Sequence, residues 1–343
     1  MNPLLFAVAR GERVPVEGGE IVAEAAAEGM LGLLAHAATN VHRELQMKAA
    51  AIEAHARAMN LELSRVVRAF QEKSLRVIAF KGAVLSQQLY GAMGLRSFSD
   101  LDLLVSPLDA DAAEHLLKAL GYRELESLSD AERSINRRYT GESLFLNDGN
   151  GVLVDLHTKF SNEQFPLRLA FEDVWSRRTE VEGIPTLGMS DLAVVTCSHA
   201  AKHLWHRLEF FAQIAALSRM RLDWAEVDRI AAGSCAARQV GLSFLLAQDR
   251  IGIELPPLPR CLAKAADVHA RSARLVASRH DATGRDLFLL LDRRRDAVRS
   301  LALALFVPTR TDWHASSLPA FAHWLLRPLR LMSRRVTAFW RDR

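Results

Sequence analysis

The sequence predicts an α+β protein: a small mixed β-sheet with flanking helices, embraced by helical regions before and after it. Three observations predict this. Residues 20–73 are rich in Ala, Leu and Glu and contain no proline, a composition that favours helix. Between about 75 and 160, short apolar runs alternate with turn residues, which is the signature of strands and connecting helices. From about 165 the helical pattern returns. The expected regions are therefore 1–73, 74–160 and 161–343.

Each element can be placed in order. The stretch 20–73 holds two or three helices. Leu75 to Phe80 is a short β-branched run after the charged Glu72-Lys73, and it reads as a buried strand. Lys81-Gly82 interrupts it, and the next nine residues read as a helix ending near Gly91. A loop then leads to Asp100-Leu-Asp-Leu-Leu-Val105, a strand closed by Ser106-Pro107. An amphipathic helix follows, with aspartates in its first turn and Gly121 as its stop. Ser143–Leu146 and Val152–Leu156 flank Asn147-Asp-Gly-Asn-Gly151, a strong hairpin signal. Leu192–Arg219 and Trp224–Asp249 read as long helices, and Pro256, Pro257 and Pro259 mark a connection between helical blocks.

Composition sets outer bounds on function. The chain has 343 residues, 50% hydrophobic and 24% charged, which excludes wholesale disorder. A net charge of +4 permits phosphate-bearing ligands without demanding nucleic acid, so a nucleic-acid partner is not expected. The three cysteines, Cys197, Cys235 and Cys261, are too far apart for a CxxC zinc site and too few for a disulfide framework. No apolar run approaches the roughly 20 residues of a membrane span, and the first residues turn charged too early for an export signal. The expected location is cytoplasmic.

The chemistry concentrates in Arg96-Ser-Phe-Ser-Asp100-Leu-Asp102. On a strand, Asp100 and Asp102 share one face while Leu101 and Leu103 point into the core. Two close carboxylates repel unless a cation separates them, and hard oxygen ligands suit Mg²⁺ or Mn²⁺. A solvated strand end is the competing reading, because D-x-D is short and common. Three features favour the cation. Lys81-Gly82 joins a strand to a helix, and a helix amino terminus receives anions. Arg96 stands just before the acidic pair, where a guanidinium balances phosphate charge. Asp155, on a second strand with His157 at the same parity, adds a third carboxylate. Such a trio is what in-line nucleotidyl transfer requires.

With these residues in view, FKGAVLSQQLY, GLRSFSDLDLLV and VLVDLH resemble the uncharacterised nucleotidyltransferase family of the DNA polymerase β-like superfamily. HAAKHLWHRLEF, from His199 to Phe210, is similar to that family's histidine helix, and Asp312-Trp313, Leu318-Pro319 and Arg327-Pro328 match a carboxy-terminal pattern. The resemblance spans about residues 20–335. It implies that Asp100, Asp102 and Asp155 are the catalytic, metal-binding carboxylates, with Asp100 and Asp102 bridging two Mg²⁺ ions and Asp155 assisting deprotonation of the acceptor. Lys81, Gly82 and Arg96 would hold the triphosphate of an NTP, ATP by default, and an unknown hydroxyl acceptor would receive the nucleotide with release of pyrophosphate. Lysine and glycine stand where better-known relatives carry glycine and serine, and Gln213 stands where relatives often carry an aspartate.

The remaining candidates each keep two readings. His199, His203 and His206 recur at helical spacing, either as a satisfied polar face or lining the nucleotide cleft with Lys202 or His203 on phosphate or base. A zinc site on that face lacks an acid or cysteine to complete it. His157 either orients the acceptor or is a hydrogen-bonded strand histidine. The carboxy-terminal stretch mixes Trp324, Leu325, Leu329, Phe339 and Trp340 with six arginines, from Arg327 to Arg343. It either docks on the protein or meets an anionic surface. A nucleotide-binding but non-catalytic interaction protein is the alternative function.

Overall fold

The computed structural model describes residues 1–40, 42–126, 128–278, 288–309, 312 and 322–331. Four helices precede the sheet: α1 (Pro3–Ala9), α2 (Glu20–Ala27), α3 (Leu31–Ala37) and α4 (Arg43–Glu72). The expected helical stretch 20–73 is thus three helices. Gly29, at φ +72°, turns the chain between the first two. Along the 30-residue α4, Ala56, Met59, Leu63, Val66, Val67 and Phe70 are buried, a stripe at helical spacing that faces the sheet.

Next come β1 (Val77–Ala79), α5 (Gly82–Tyr90), β2 (Asp100–Val105), α6 (Ala110–Ala119), β3 (Tyr122–Glu124), α7 (Asp130–Tyr139), β4 (Glu142–Asn147) and β5 (Leu153–His157). Then follow α8 (Phe171–Ser176), β6 (Thr179–Val181) and β7 (Ile184–Thr186). The rest of the described chain is helical: α9 (Met189–Lys202), α10 (Leu208–Ser218), α11 (Trp224–Gly233), α12 (Ala237–Ile251), α13 (Pro259–Ala265), α14 (His269–Ser278) and α15 (Arg294–Phe306). The seven strands form one mixed sheet in the order β3-β4-β5-β2-β1-β7-β6.

The register of the central strands decides where the acids go. β2 pairs antiparallel with β1 and parallel with β5, with Asp102 opposite Asp155 and Leu104 opposite His157. Side chains alternate between faces. Leu101, Leu103, Val105, Val154 and Leu156 join one core with α4 and α6. Ile78, Phe80 and Leu104 point the other way, into a larger core built with the amino-terminal helices and α9–α13. Asp100, Asp102, Asp155 and His157 have the parity of this second face.

Three departures from the sequence expectation have physical causes. The β6–β7 hairpin adds two strands where helix was expected, and β7 pairs parallel with β1 at Ala79–Thr186. Its strands are three residues long and Pro185 interrupts one, so pattern alone argues against them. The expected Leu192–Arg219 helix is broken, because Leu204 and Trp205 adopt left-handed φ of 49° and 47°. That strain seats Trp205 in the core, 1% exposed, with its Nε1 donating to Ser243 Oγ at 3.1 Å. Cys235, at φ 62°, splits the second expected long helix into α11 and α12.

The carboxy-terminal stretch is described only in part. The helix at 322–331 docks on α15 through Arg327, which donates to Ala304 O at 3.0 Å and pairs with Asp312. Leu325 and Leu329 remain exposed. Phe339, Trp340, the arginines at 334, 335, 341 and 343, Trp313 and Leu318-Pro319 lie outside the described residues. Among the described residues, no helix is long and apolar enough to cross a membrane.

The packing of α12 on α13 gives a test of the larger core. A Cβ at Gly241 would fall 2.1 Å from Cys261 O, which is backbone and has no room to yield. Gly241→Ala should therefore cost about 1–3 kcal/mol in urea unfolding, against the roughly 1 kcal/mol gain expected for alanine in a free helix. An unchanged or raised midpoint would contradict this packing.

Candidate active site

The site begins at the turn between β1 and α5. Lys81 is the extended residue before the helix, and Gly82 starts it at φ +59°. The backbone angle at Gly82 favours glycine, and a Cβ there would sit 3.2 Å from the Phe98 ring, a tight fit. No side chain caps the first turn of α5. Its backbone donors suit an anion.

Lys81 reaches across to β2 and makes a direct ion pair with Asp102 Oδ1. Asp102 is 6% exposed and lies opposite Asp155, whose side chain is 15% exposed. His157 Nε2 lies 3.2 Å from Asp102 Oδ1 and 3.1 Å from Asp155 Oδ2, so one ring nitrogen serves both carboxylates. The imidazole is buried, edge-on to Phe80 at 5.1 Å between ring centroids. Its Nδ1 is 3.9 Å from Glu142 Oε1.

The electrostatics follow from this crowding. Burial pushes the Asp102 carboxyl up, but Lys81 and His157 outweigh it and hold the carboxyl well below the usual carboxylate range. Burial works against a charged His157, yet Asp155 and Asp102 together raise it to about 9. Burial likewise opposes a charged Lys81, and Asp102, Asp155 and Asp100 reverse the effect and raise it. Asp100 is raised, first by its own burial and then by the neighbouring Asp102.

The structure thus brings Asp102, Asp155, His157 and Lys81 into contact. Asp100 shares their face, and its charge is felt by Lys81. Arg96 follows a short 3-10 turn, Met93–Leu95, with its buried Nε lacking a hydrogen-bond partner and its charge acting on Asp100 and Glu209. Lys202, at the end of α9, stands 3.9 Å from Glu142 Oε1. His203 caps α9 with one ring face stacked on Phe210 and the rest reaching solvent; desolvation of the covered face, with the nearby Lys202 charge, lowers it to about 4. His206 lies beyond the helix. The three histidines are held together by Phe210, with ring centroids 5.9, 5.8 and 5.5 Å away, rather than by a continuous helical face.

Two acids escaped the sequence reading. Glu142 pairs with His157 across β4 and β5, a partner that counting back from the Asn147–Gly151 turn would have found. Glu209 is buried on α10 one turn before Gln213, and burial raises its carboxyl despite Arg96 and Arg207. Gln213 is also buried, and its Nε2 has no hydrogen-bond partner.

The two carboxylates of this cluster fit a hard divalent cation. Ligand atoms of Asp102, Asp155 and His157 lie within 4.8 Å of one another. Asp155 Oδ1 is buried and has no hydrogen-bond partner among the described residues. Carboxylate oxygens left over in this way are what Mg²⁺ or Mn²⁺ binds.

Strand-borne carboxylates beside a lysine-glycine helix start are an arrangement suited to phosphoryl chemistry. The family model of an uncharacterised nucleotidyltransferase matches residues 20–252, and the chain belongs to that family. It is a nucleotidyltransferase. No curated protein matches it significantly. The crystal structure of ANT(2")-Ia in complex with adenylyl-2"-tobramycin is 15% identical with a TM-score of 0.36, covering 51% of this chain and 96% of that one. The solution structure of the antibiotic-resistance factor ANT(2'')-Ia is 16% identical with a TM-score of 0.35, covering 51% and 91%.

Gly82 supplies a direct test of the turn. Gly82→Ala should cost about 1–2 kcal/mol of stability for the left-handed backbone alone. Adding Phe98→Ala should not restore it. Full recovery in the double variant would show that space, not backbone conformation, selects the glycine.

Proposed function

We propose that this chain transfers a nucleoside monophosphate from an NTP, ATP by default, to a hydroxyl acceptor with release of pyrophosphate. The observation that carries the proposal is the β2–β5 register, which sets Asp102 against Asp155 while Lys81 approaches the same carboxylate from the phosphate-type turn. Asp100, Asp102 and Asp155 would hold Mg²⁺ or Mn²⁺, which when bound supplies charge neutralisation to the reacting phosphoryl group.

The protein's own groups have separate tasks. The first turn of α5 and Gly82 meet the triphosphate through backbone N–H groups, and Lys81 and Arg96 add fixed positive charge beside it. Arg96 suits this role because its buried Nε has no hydrogen-bond partner among the described residues. Lys202 and His203, on the rim formed by α9, meet phosphate or base. His157 positions the carboxylate pair through Nε2. The acceptor oxygen forms its bond to the α-phosphorus as the bond to the pyrophosphate oxygen breaks, and the Asp155 carboxylate takes the hydroxyl proton.

Pyrophosphate release with each NTP, screened over sugars, peptides and small alcohols as acceptors, tests the reaction. Asp102→Asn should lower the rate by ~10³-fold or more while the protein stays folded, because the central carboxylate is lost. A variant as active as wild type would remove Asp102 from the mechanism. Tight NTP binding without turnover by any acceptor would favour the non-catalytic interaction protein instead.

A further inference from the structure

We infer that this site takes a single divalent cation, and that the Lys81 ammonium stands where a two-cation site would place the second; the inference rests on the nucleotidyl-transfer reading above. In a two-cation centre the ions sit roughly 3.5–4 Å apart, and the carboxylate between them gives one oxygen to each. Asp102 is the carboxylate placed to do this, opposite Asp155 and two residues from Asp100. Its Oδ1 is already committed, accepting from Lys81 Nζ and lying 3.2 Å from His157 Nε2. Only Oδ2 is left, enough for one ion.

Lys81 is held in that position. Its side chain is 20% exposed, its Nζ lies 5.1 Å from the centroid of the Phe80 ring, and its backbone is fixed by the left-handed Gly82 that follows. A second cation on Asp102 Oδ1 would have to displace the ammonium or bear its repulsion at close range.

The ligand set agrees. Among the described residues, the carboxylates whose ligand atoms converge on one point are Asp102 and Asp155, with the His157 ring nitrogen between them. Asp155 contributes the unpartnered Oδ1 to that same set. The carboxylates therefore frame one exchangeable ion, while the charge of a second is covalently built in. A lysine at this position does what a small glycine or serine could not.

The count of ions is readable without turnover. Manganese bound to the full-length protein, in the presence of a mixture of the four α,β-methylene nucleoside triphosphates, reports by electron paramagnetic resonance whether neighbouring ions are spin-coupled. Wild type should show bound, uncoupled Mn²⁺. Lys81→Ala, or Lys81→Gln should the alanine variant not fold, should gain a coupled-pair signal, and Lys81→Arg should stay uncoupled. A coupled pair in wild type, or no coupled pair in the neutral variants, overturns the inference and leaves the transfer reading intact. A folded wild type that binds no Mn²⁺ overturns both.

Discussion

The structure turns on a single strand pairing. Parallel alignment of β2 with β5 sets Asp102 directly against Asp155 on a largely buried face of the sheet. Two carboxylates in such a place repel strongly, because the surroundings screen charge far less than water does. The fold answers with Lys81 from the β1–α5 turn and His157 from β5 itself, and both are driven toward their charged forms by the acids they touch. Much of the surrounding architecture places those two cations. Phe80 packs against both, and the left-handed glycine at position 82 lets the chain turn from strand to helix beside them.

The same arrangement explains why the helical regions matter to the site. The sheet face carrying the acids is closed by the larger core, in which α10 packs against both α9 and α5. The break between those helices lets Trp205 fill the core and leaves Lys202 and His203 at the rim. The Arg96 charge reaches Glu209 at the same boundary and opposes the burial that raises its carboxyl. The site is therefore a seam between sheet and helices rather than a feature of the sheet alone.

Much of this was legible in the sequence, for reasons that can be named. Period-two alternation in Asp100–Val105 separates acids from leucines, and the structure keeps that separation, with Leu101 and Leu103 in one core and Asp102 facing the other way. The glycine after Lys81 marked the turn from strand to helix, and the structure adds that its φ is +59°, a backbone only glycine adopts cheaply. What was not legible depends on long-range packing. The β6–β7 hairpin exists because β1 offers it an edge, and no local pattern in three-residue strands reveals that. The left-handed turn at Leu204-Trp205 is stabilised by a buried tryptophan, against local preference. Asp155 was readable as a third acid, but that its Oδ2 and Asp102 Oδ1 share one histidine nitrogen follows only from the register.

The most direct measurement is calorimetric titration of each NTP, with and without Mg²⁺ or Mn²⁺, into wild type and the Asp100→Asn/Asp102→Asn double variant. At least one NTP should bind wild type only with the divalent ion present, and that binding should be lost in the folded double variant. Equal binding by both proteins, or binding indifferent to the metal, would contradict this.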